Sequence, residues 1–121
     1  MPYDGQGLKR RERITEKGEY TEVIRKGKLL ACRIFKAYLL VNRGPQRKAG
    51  FIAGRRVGPA YQRNRAKRLL KEAYRRLKPK VVPSGFRVAF IAIEGLGKAD
   101  LADVQNEMEG MFRACGLLRT V

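Results

Sequence analysis

The 121-residue sequence contains no histidine and no tryptophan, and it has two cysteines. The lack of histidine removes the commonest general base and the commonest metal ligand. Cys32 and Cys115 each lie in an apolar pattern without a partner at metal spacing, so we expect two buried, reduced thiols. The carboxylates are scattered, without the pairing of a two-metal nuclease site, and no P-loop pattern is present. The sequence therefore predicts no protein active site, no bound metal and no small-molecule substrate.

Long hydrophobic runs are also missing. No apolar segment approaches the roughly 18 residues that a membrane-spanning helix needs. The first thirteen residues are polar and basic and lack the apolar stretch of a secretory signal. We therefore expect a cytoplasmic protein that has no membrane partner.

Acidic residues are scarce in the first two-thirds of the chain. The whole chain carries 28 Lys and Arg against 11 Asp and Glu, a net charge of +17, and residues 1–80 carry a net +18. A charge excess of this size repels itself and indicates binding to a polyanion. The length suits one domain. We predict a flexible tail at 1–7 and a single RNA-binding domain at 8–118.

Hydrophobic periodicity and turn residues predict the order α-β-β-α-β-α. Thr15 is expected to cap a first helix that ends at Lys26, with Gly27 as its left-handed stop. Residues 29–41 and 49–53 alternate like two antiparallel strands, and an extra short strand is expected near 29–32. Asn42 to Pro45 reads as the turn between the two strands.

The second half of the chain gives clearer signals. Gly58-Pro59 opens a helix that should end near Leu77, since Pro59 suits a helix start and Pro79 follows the apolar stripe. The apolar run 86–93 predicts a strand covered on both faces. Asp100 is expected to cap a last helix with one apolar stripe. The sequence thus predicts an α+β fold, with a β-sheet packed against about three helices.

The helix after Pro59 has an unusually basic outer side. Residues 55–80 hold 11 basic residues and one acidic residue, Glu72. Guanidinium groups bind phosphate oxygens in bidentate geometry, and lysines add point charge. Solvated helix faces usually mix charges of both signs, which makes a merely solvated face the weaker interpretation. The predicted RNA-binding residues are Arg55, Arg56, Arg63, Asn64, Arg65, Lys67, Arg68, Lys71 and Arg75.

Two tyrosines are candidates for contact with single-stranded RNA, whose bases stack on flat side chains beside basic grooves. Tyr20 and Tyr38 lie in elements that can face each other across a cleft, with Ile24 beside Tyr20. Ordinary packing is an equal alternative for both tyrosines, because a tyrosine often keeps one end in water. For Phe35, Phe51 and Phe86 we favour core packing.

The segment from Gly54 to Tyr74 closely resembles the signature of the bacterial ribonuclease P protein family. The specific part is Arg63-Asn64-Arg65-x-Lys67-Arg68, followed by an apolar pair and Glu72-Ala73. The similarity extends over about residues 8–118 and includes the basic run at 8–13. The resemblance implies a mixed sheet with a left-handed β-α-β crossover, a fold shared with a ribosomal-protein domain.

The resemblance also implies a role. In the family, a catalytic RNA performs Mg²⁺-dependent hydrolysis that removes the 5′ leader of precursor tRNA. Mg²⁺ is thus expected with the RNA subunit. The basic helix and the preceding Arg55-Arg56 pair match the positions that contact this RNA. Tyr20, Ile24 and Tyr38 match positions of the cleft that holds the single-stranded leader.

Two residues depart from the family pattern. Ile24 stands where phenylalanine is usual, which removes stacking and leaves an apolar contact. Gly54 replaces a polar or basic residue before the arginine pair.

Two alternative functions remain to be compared with this role. One is a ribosomal or other structural RNA-binding protein without a processing role. The other is an independent nuclease, which the absence of histidines and of paired carboxylates opposes.

Overall fold

The computed structural model describes residues 8–42 and 44–119 of the chain. The predicted tail at 1–7 lies outside the described residues. The helices and strands follow in the order α1 (Lys17–Lys26), β1 (Lys28–Ala31), β2 (Phe35–Val41), β3 (Arg47–Ala53), α2 (Ala60–Leu77), β4 (Phe86–Ala92) and α3 (Leu101–Ala114). The predicted order and the extra short strand are confirmed. Short 3₁₀ turns cover Arg10–Glu12, Arg55–Val57, Lys78–Lys80 and Leu96–Lys98.

The four strands form one mixed sheet in the order β1-β2-β4-β3. β4 pairs antiparallel with β2 and parallel with β3, so β3, α2 and β4 form a β-α-β unit. β2 and β3 run in opposite directions, as predicted, but they are not neighbours in the sheet. β4 lies between them because, apart from Arg87, its side chains are apolar on both faces, and the centre of the sheet buries both faces.

The main core lies between one face of the sheet and the helices α2 and α3. Phe90 is at its centre, stacked on Phe51 with ring centroids 5.8 Å apart and packed edge-on against Phe35 at 5.7 Å. Tyr74 and Phe112 close the core from the two helices. The predicted core role of the phenylalanines is confirmed.

α1 packs on the opposite face of the sheet. A row of register partners crosses that face from Tyr38 on β2 through Ala89 on β4 to Gly50 on β3. The small residues in this row let the helix approach closely, and Val23 is completely buried against Ala89. The sheet is therefore covered on both faces, by two helices on one and one helix on the other.

The ends of α1 differ from the prediction. The helix begins at Lys17 after Glu16, and no side chain caps it, so the expected Thr15 cap is wrong. Gly27 has φ −78° and is extended rather than left-handed. A Cβ at Gly27 would collide with the carbonyl oxygen of Val23 and crowd the Leu39 backbone. Glycine is therefore needed here for close approach to β2, not for a positive φ.

The other helix ends agree with the sequence. α2 starts directly after Pro59 and ends at Leu77. The Asp100 side chain accepts a 2.8 Å hydrogen bond from the backbone N–H of Asp103 and caps α3, as predicted. Cys32 and Cys115 are free thiols, but they are only partly buried at the edge of the core.

Candidate nucleic-acid interface

α2 separates an apolar face from a cationic face. Its buried side is formed by Ala66, Leu70, Ala73, Tyr74 and Leu77. The predicted residues of α2 differ in exposure: Asn64, Arg65, Lys67 and Arg68 are exposed, whereas Arg63, Lys71 and Arg75 are partly buried. The fold therefore directs most of the predicted residues outward, because burial of the apolar stripe against the sheet orients the opposite side to solvent.

A groove of about 390 Å³ lies between α2, the edge strand β3 and the segment that precedes α1. Asn64, Lys67, Arg68 and Lys71 line it from α2, Arg13 lines it from the N-terminal segment, and no carboxylate lies among its lining residues. Four cations facing one space without a counter-charge form a site for an anion. The structure thus brings together four of the predicted residues.

Arg13 is a cation of the groove that the sequence did not predict as part of the site. Its Nε is buried and has no hydrogen-bond partner among the described residues. The basic run at 8–13 gave a signal, but the sequence does not show that this run folds back onto β3. It does so through a 3.0 Å hydrogen bond from the N–H of Ile14 to the carbonyl of Ala49.

The N-terminal segment is held in place by an ion cluster at the far end of α2. Lys78 Nζ lies 3.0 Å from a carboxylate oxygen of Glu12, and Arg47 lies 3.8 Å from the same oxygen. Arg47 also donates a 3.1 Å hydrogen bond to the carbonyl of Val82. Burial acts to raise the pKa of Glu12, but the Lys78 hydrogen bond and the nearby cations hold it below its ordinary value.

Glu72, the acidic residue of α2, is neutralised within the helix. It accepts hydrogen bonds of 2.9 and 2.7 Å from Arg75 and one of 2.9 Å from Arg76. The bidentate Arg75 contact, with that of Arg76, lowers the pKa of Glu72 to about 2. Arg75 is therefore engaged by the chain's own acid, unlike the open donor that the helical wheel suggested, and its RNA contact stays a prediction.

Arg55 and Arg56 lie apart from the groove, in the exposed 3₁₀ turn that precedes α2. Gly58 follows the turn with φ +138°, a conformation that favours glycine. This bend leads the chain from the end of β3 into the start of α2. Both arginines therefore lie at the same end of α2 as Arg63 and Asn64.

The cleft candidates Tyr20, Ile24 and Tyr38 pack together in the second, smaller core under α1. The Tyr20 hydroxyl accepts a 3.1 Å hydrogen bond from the N–H of Phe51 on the exposed edge of β3. Burial raises the pKa of Tyr20 above its ordinary value. Tyr20 also lines the cationic groove, so the groove and the aromatic cluster meet at this residue.

Ion pairs fix α1 on the sheet beside this cluster. Arg87 on β4 lies 3.2 Å from Glu19 and 2.8 Å from Glu22, and Lys48 on β3 lies 3.4 Å from Glu19. The side chains of Arg87 and Lys48 are mostly buried, so these cations support the helix and do not face solvent. Neither cation lines the cationic groove, whose lining cations are Arg13 and three residues of α2.

Within residues 8–42 and 44–119, no group of three or more Asp, Glu, His or Cys side chains is placed to hold a metal ion. No helix in the same residues is long and apolar enough to cross a bilayer. The arrangement can bind and orient an anionic chain, because Glu12 beside the N-terminal segment and Glu72 on α2 are both engaged in ion pairs with the chain's own cations.

Together the fold and the groove define the class of protein, a small α+β domain built to bind a polyanion. The ribonuclease P family model matches residues 8–116. The chain therefore belongs to the ribonuclease P protein family. Family members are the protein component of ribonuclease P, so the chain is a subunit of an RNA-processing enzyme, acts in tRNA processing and works with the ribonuclease P RNA.

Individual relatives agree with the family match. The chain is 32% identical over 113 residues to the ribonuclease P protein component of Symbiobacterium thermophilum, with 93% of this chain and 97% of the relative covered. It is 30% identical over 105 residues to that of Clostridium botulinum, covering 87% of this chain and 95% of the relative. The curated relatives are thus matched over nearly their whole length.

Solved structures show the same fold. The RNase P protein from Thermotoga maritima superposes with a TM-score of 0.73 at 26% identity, covering 86% of this chain and 97% of that protein. A Staphylococcus aureus RNase P protein gives a TM-score of 0.76 at 21% identity, covering 89% and 98%. The predicted α+β fold is confirmed by these likenesses.

Proposed function

We propose that the outer face of α2 and the adjoining groove bind the catalytic RNA of ribonuclease P. The observation that carries this proposal is the groove itself, where Arg13, Lys67, Arg68 and Lys71 converge without a carboxylate among the lining residues. An RNA backbone supplies the missing negative charge and gains from releasing condensed counterions when the cations bind it. The pairing of Glu72 with two arginines keeps this face cationic.

The 5′ leader of precursor tRNA is assigned to the cleft beside α1, at Tyr20, Ile24 and Tyr38. Single-stranded RNA is held by flat side chains next to a cationic track, and Tyr20 borders the groove as well as the aromatic cluster. Ile24 offers an apolar contact without stacking. The leader would then run from the cluster towards the groove.

Catalysis is assigned to the RNA subunit, with Mg²⁺ bound there. The described part of the chain offers neither histidine nor a cluster of acids for a two-metal site, which fits an accessory role. The protein would reduce the electrostatic repulsion between the catalytic RNA and the precursor tRNA, and it would hold the leader in place. On this assignment the enzyme acts in the cytoplasm, where precursor tRNA is processed.

The test is leader cleavage of precursor tRNA by the catalytic RNA at physiological Mg²⁺, with and without this chain. We expect strong stimulation by the chain and no cleavage by the chain alone. A variant in which Arg68 and Lys71 are both alanine should lose most of the stimulation. Cleavage by the purified, RNA-free protein would contradict the assignment of catalysis to RNA.

A further inference from the structure

The first turn of α2 exposes an aromatic ring next to the cationic face. Tyr61 is 69% exposed, and in the described part of the chain Leu29 and Val41 are the other large hydrophobic residues that are strongly exposed. Both of those lie on strands, so Tyr61 is the large hydrophobic residue of α2 that is strongly exposed. A single exposed tyrosine is ordinary on a protein surface. Its surroundings distinguish this one.

The residues around Tyr61 are mostly cationic, and their charge favours an anionic partner. Asn64 and Arg65 follow Tyr61 by three and four residues, which places them beside it on the helix surface. The first turn of α2 contains no acidic residue, although acids stabilise the positive end of a helix dipole. The exposed Arg55 and Arg56 lie at this same end of the helix.

The hydroxyl group of Tyr61 has a polar neighbour on the same helix. The Gln62 side-chain amide lies 3.4 Å from the Tyr61 hydroxyl. Gln62 itself covers Gly58, where an added Cβ would collide with its side-chain oxygen. The hydroxyl end thus has a neighbour, while 69% of the residue stays in contact with solvent.

We propose that Tyr61 stacks on an unpaired base of the partner RNA while the neighbouring cations bind the flanking phosphates. This inference rests on the proposed function, because it requires RNA on the outer face of α2. Every base offers a π-face, so a tyrosine beside arginines captures a splayed base with little sequence preference. Tyr61 would then bind a base, whereas the groove residues bind the phosphate backbone.

A fluorescence experiment tests the contact directly. The chain contains no tryptophan, so Tyr61→Trp introduces a single indole at this position. We expect its emission to be strongly quenched when in vitro transcribed ribonuclease P RNA is added. Leu29→Trp is the matched control, since Leu29 is 50% exposed on β1 at the opposite edge of the sheet from β3. Equal responses of the two variants would overturn the proposal.

Affinity measurements separate stacking from charge and from simple apolar contact. Tyr61→Ala should weaken binding about tenfold without changing the salt dependence, because the lost group is uncharged. Tyr61→Phe should bind within about twofold of the original protein, whereas Tyr61→Leu should not restore binding. Restoration by leucine, or unchanged binding by the alanine variant, would contradict stacking. Thermal unfolding of each variant checks that the fold is retained.

Two further measurements show which RNA supplies the stacked base and distinguish the Tyr61 stacking proposal from the proposed RNA interface on α2. Titrating the catalytic RNA alone, and then precursor tRNA onto the assembled complex, shows which RNA quenches the Tyr61→Trp indole. Arg68→Ala is measured in parallel. If it weakens binding while Tyr61→Ala does not, the stacking inference fails and the RNA interface stands. If neither substitution weakens binding, the proposed interface on α2 fails as well.

Discussion

The ring of Tyr20 occupies the space that a side chain at Gly50 would need. A Cβ built at Gly50 would collide with this ring, so α1 can lie on the sheet only because β3 has glycine at that position. The Tyr20 hydroxyl also satisfies the N–H of Phe51 at the strand edge. Tyr20 therefore serves as a packing residue and, in the proposed function, as one side of the leader cleft.

These two roles of Tyr20 give different mutational results. Tyr20→Phe removes one hydrogen bond and should lower the free energy of unfolding by about 1 kcal/mol. It keeps the ring, so the preference for precursor over mature tRNA should persist. Tyr20→Ala should reduce precursor binding by about 1–3 kcal/mol and mature tRNA binding by much less. Equal losses for both RNAs would mean that Tyr20 does not contact the leader.

Arg68 and Arg76 form a matched pair on α2 for testing the cationic face. Arg68 lines the groove, whereas Arg76 is exposed but bound to Glu72. Arg68→Ala should weaken binding to the catalytic RNA and reduce the slope of log affinity against log salt by about 0.7–0.9, the value for one phosphate contact. Arg76→Ala should change the slope by less than half as much. Identical slopes for the two variants would show that the groove is not the contact surface.

The depressed pKa of Glu72 predicts a pH-dependent contribution to stability. A carboxylate whose pKa is lowered by folding stabilises the protein above its unfolded pKa, and that contribution is lost as the pH falls through the folded value. Glu72 should therefore stabilise the protein above about pH 4.5 and cease to do so near pH 2, where its folded pKa lies. Because this helix-surface cluster is screened by solvent, the effect of Glu72→Gln at pH 7 should be about 1 kcal/mol.

Urea unfolding at several pH values measures this contribution. The difference between the original protein and Glu72→Gln should shrink as the pH falls from 5 towards 2. Glu94→Gln is the control, because Glu94 is exposed after β4 and has no ion pair or hydrogen bond in the described residues. A Glu72→Gln difference that persists at the lowest pH would show that the ion pairs are not its cause.

Two glycines flank the Arg55–Val57 turn and differ in what a side chain would meet. Gly58 has φ +138°, and a Cβ there would collide with Gln62, whereas a Cβ at Gly54 would meet nothing within 4 Å. Gly58→Ala should therefore lower the free energy of unfolding by about 1–3 kcal/mol through backbone strain. Gly54→Ala should be close to neutral, and chemical denaturation measures both. A similar loss in both variants would mean that flexibility of the turn matters more than its conformation.

Tertiary structure decided the features that depend on residues far apart in sequence. The sequence does not show that β4 enters between β2 and β3, because strand pairing depends on the whole sheet and not on the Asn42–Pro45 turn. Nor does it reveal that Arg13 completes the groove, since that requires the N-terminal segment to pair with the edge of β3. The hydrogen bonds between Arg75 and Glu72 depend on the side-chain rotamers of both residues, and a helical wheel gives no information on rotamers.

The sequence by itself determined the elements and the character of the cationic face. Local rules sufficed where the signal lies within one segment: Pro59 and Leu77 bound α2, Asp100 caps α3, and the apolar stripe of α2 dictates which side meets solvent. The motif around Asn64 was enough to identify the family. Only the packed chain decided how that face becomes a site, because a groove requires three separate segments whose relative positions are set by long-range burial and backbone pairing.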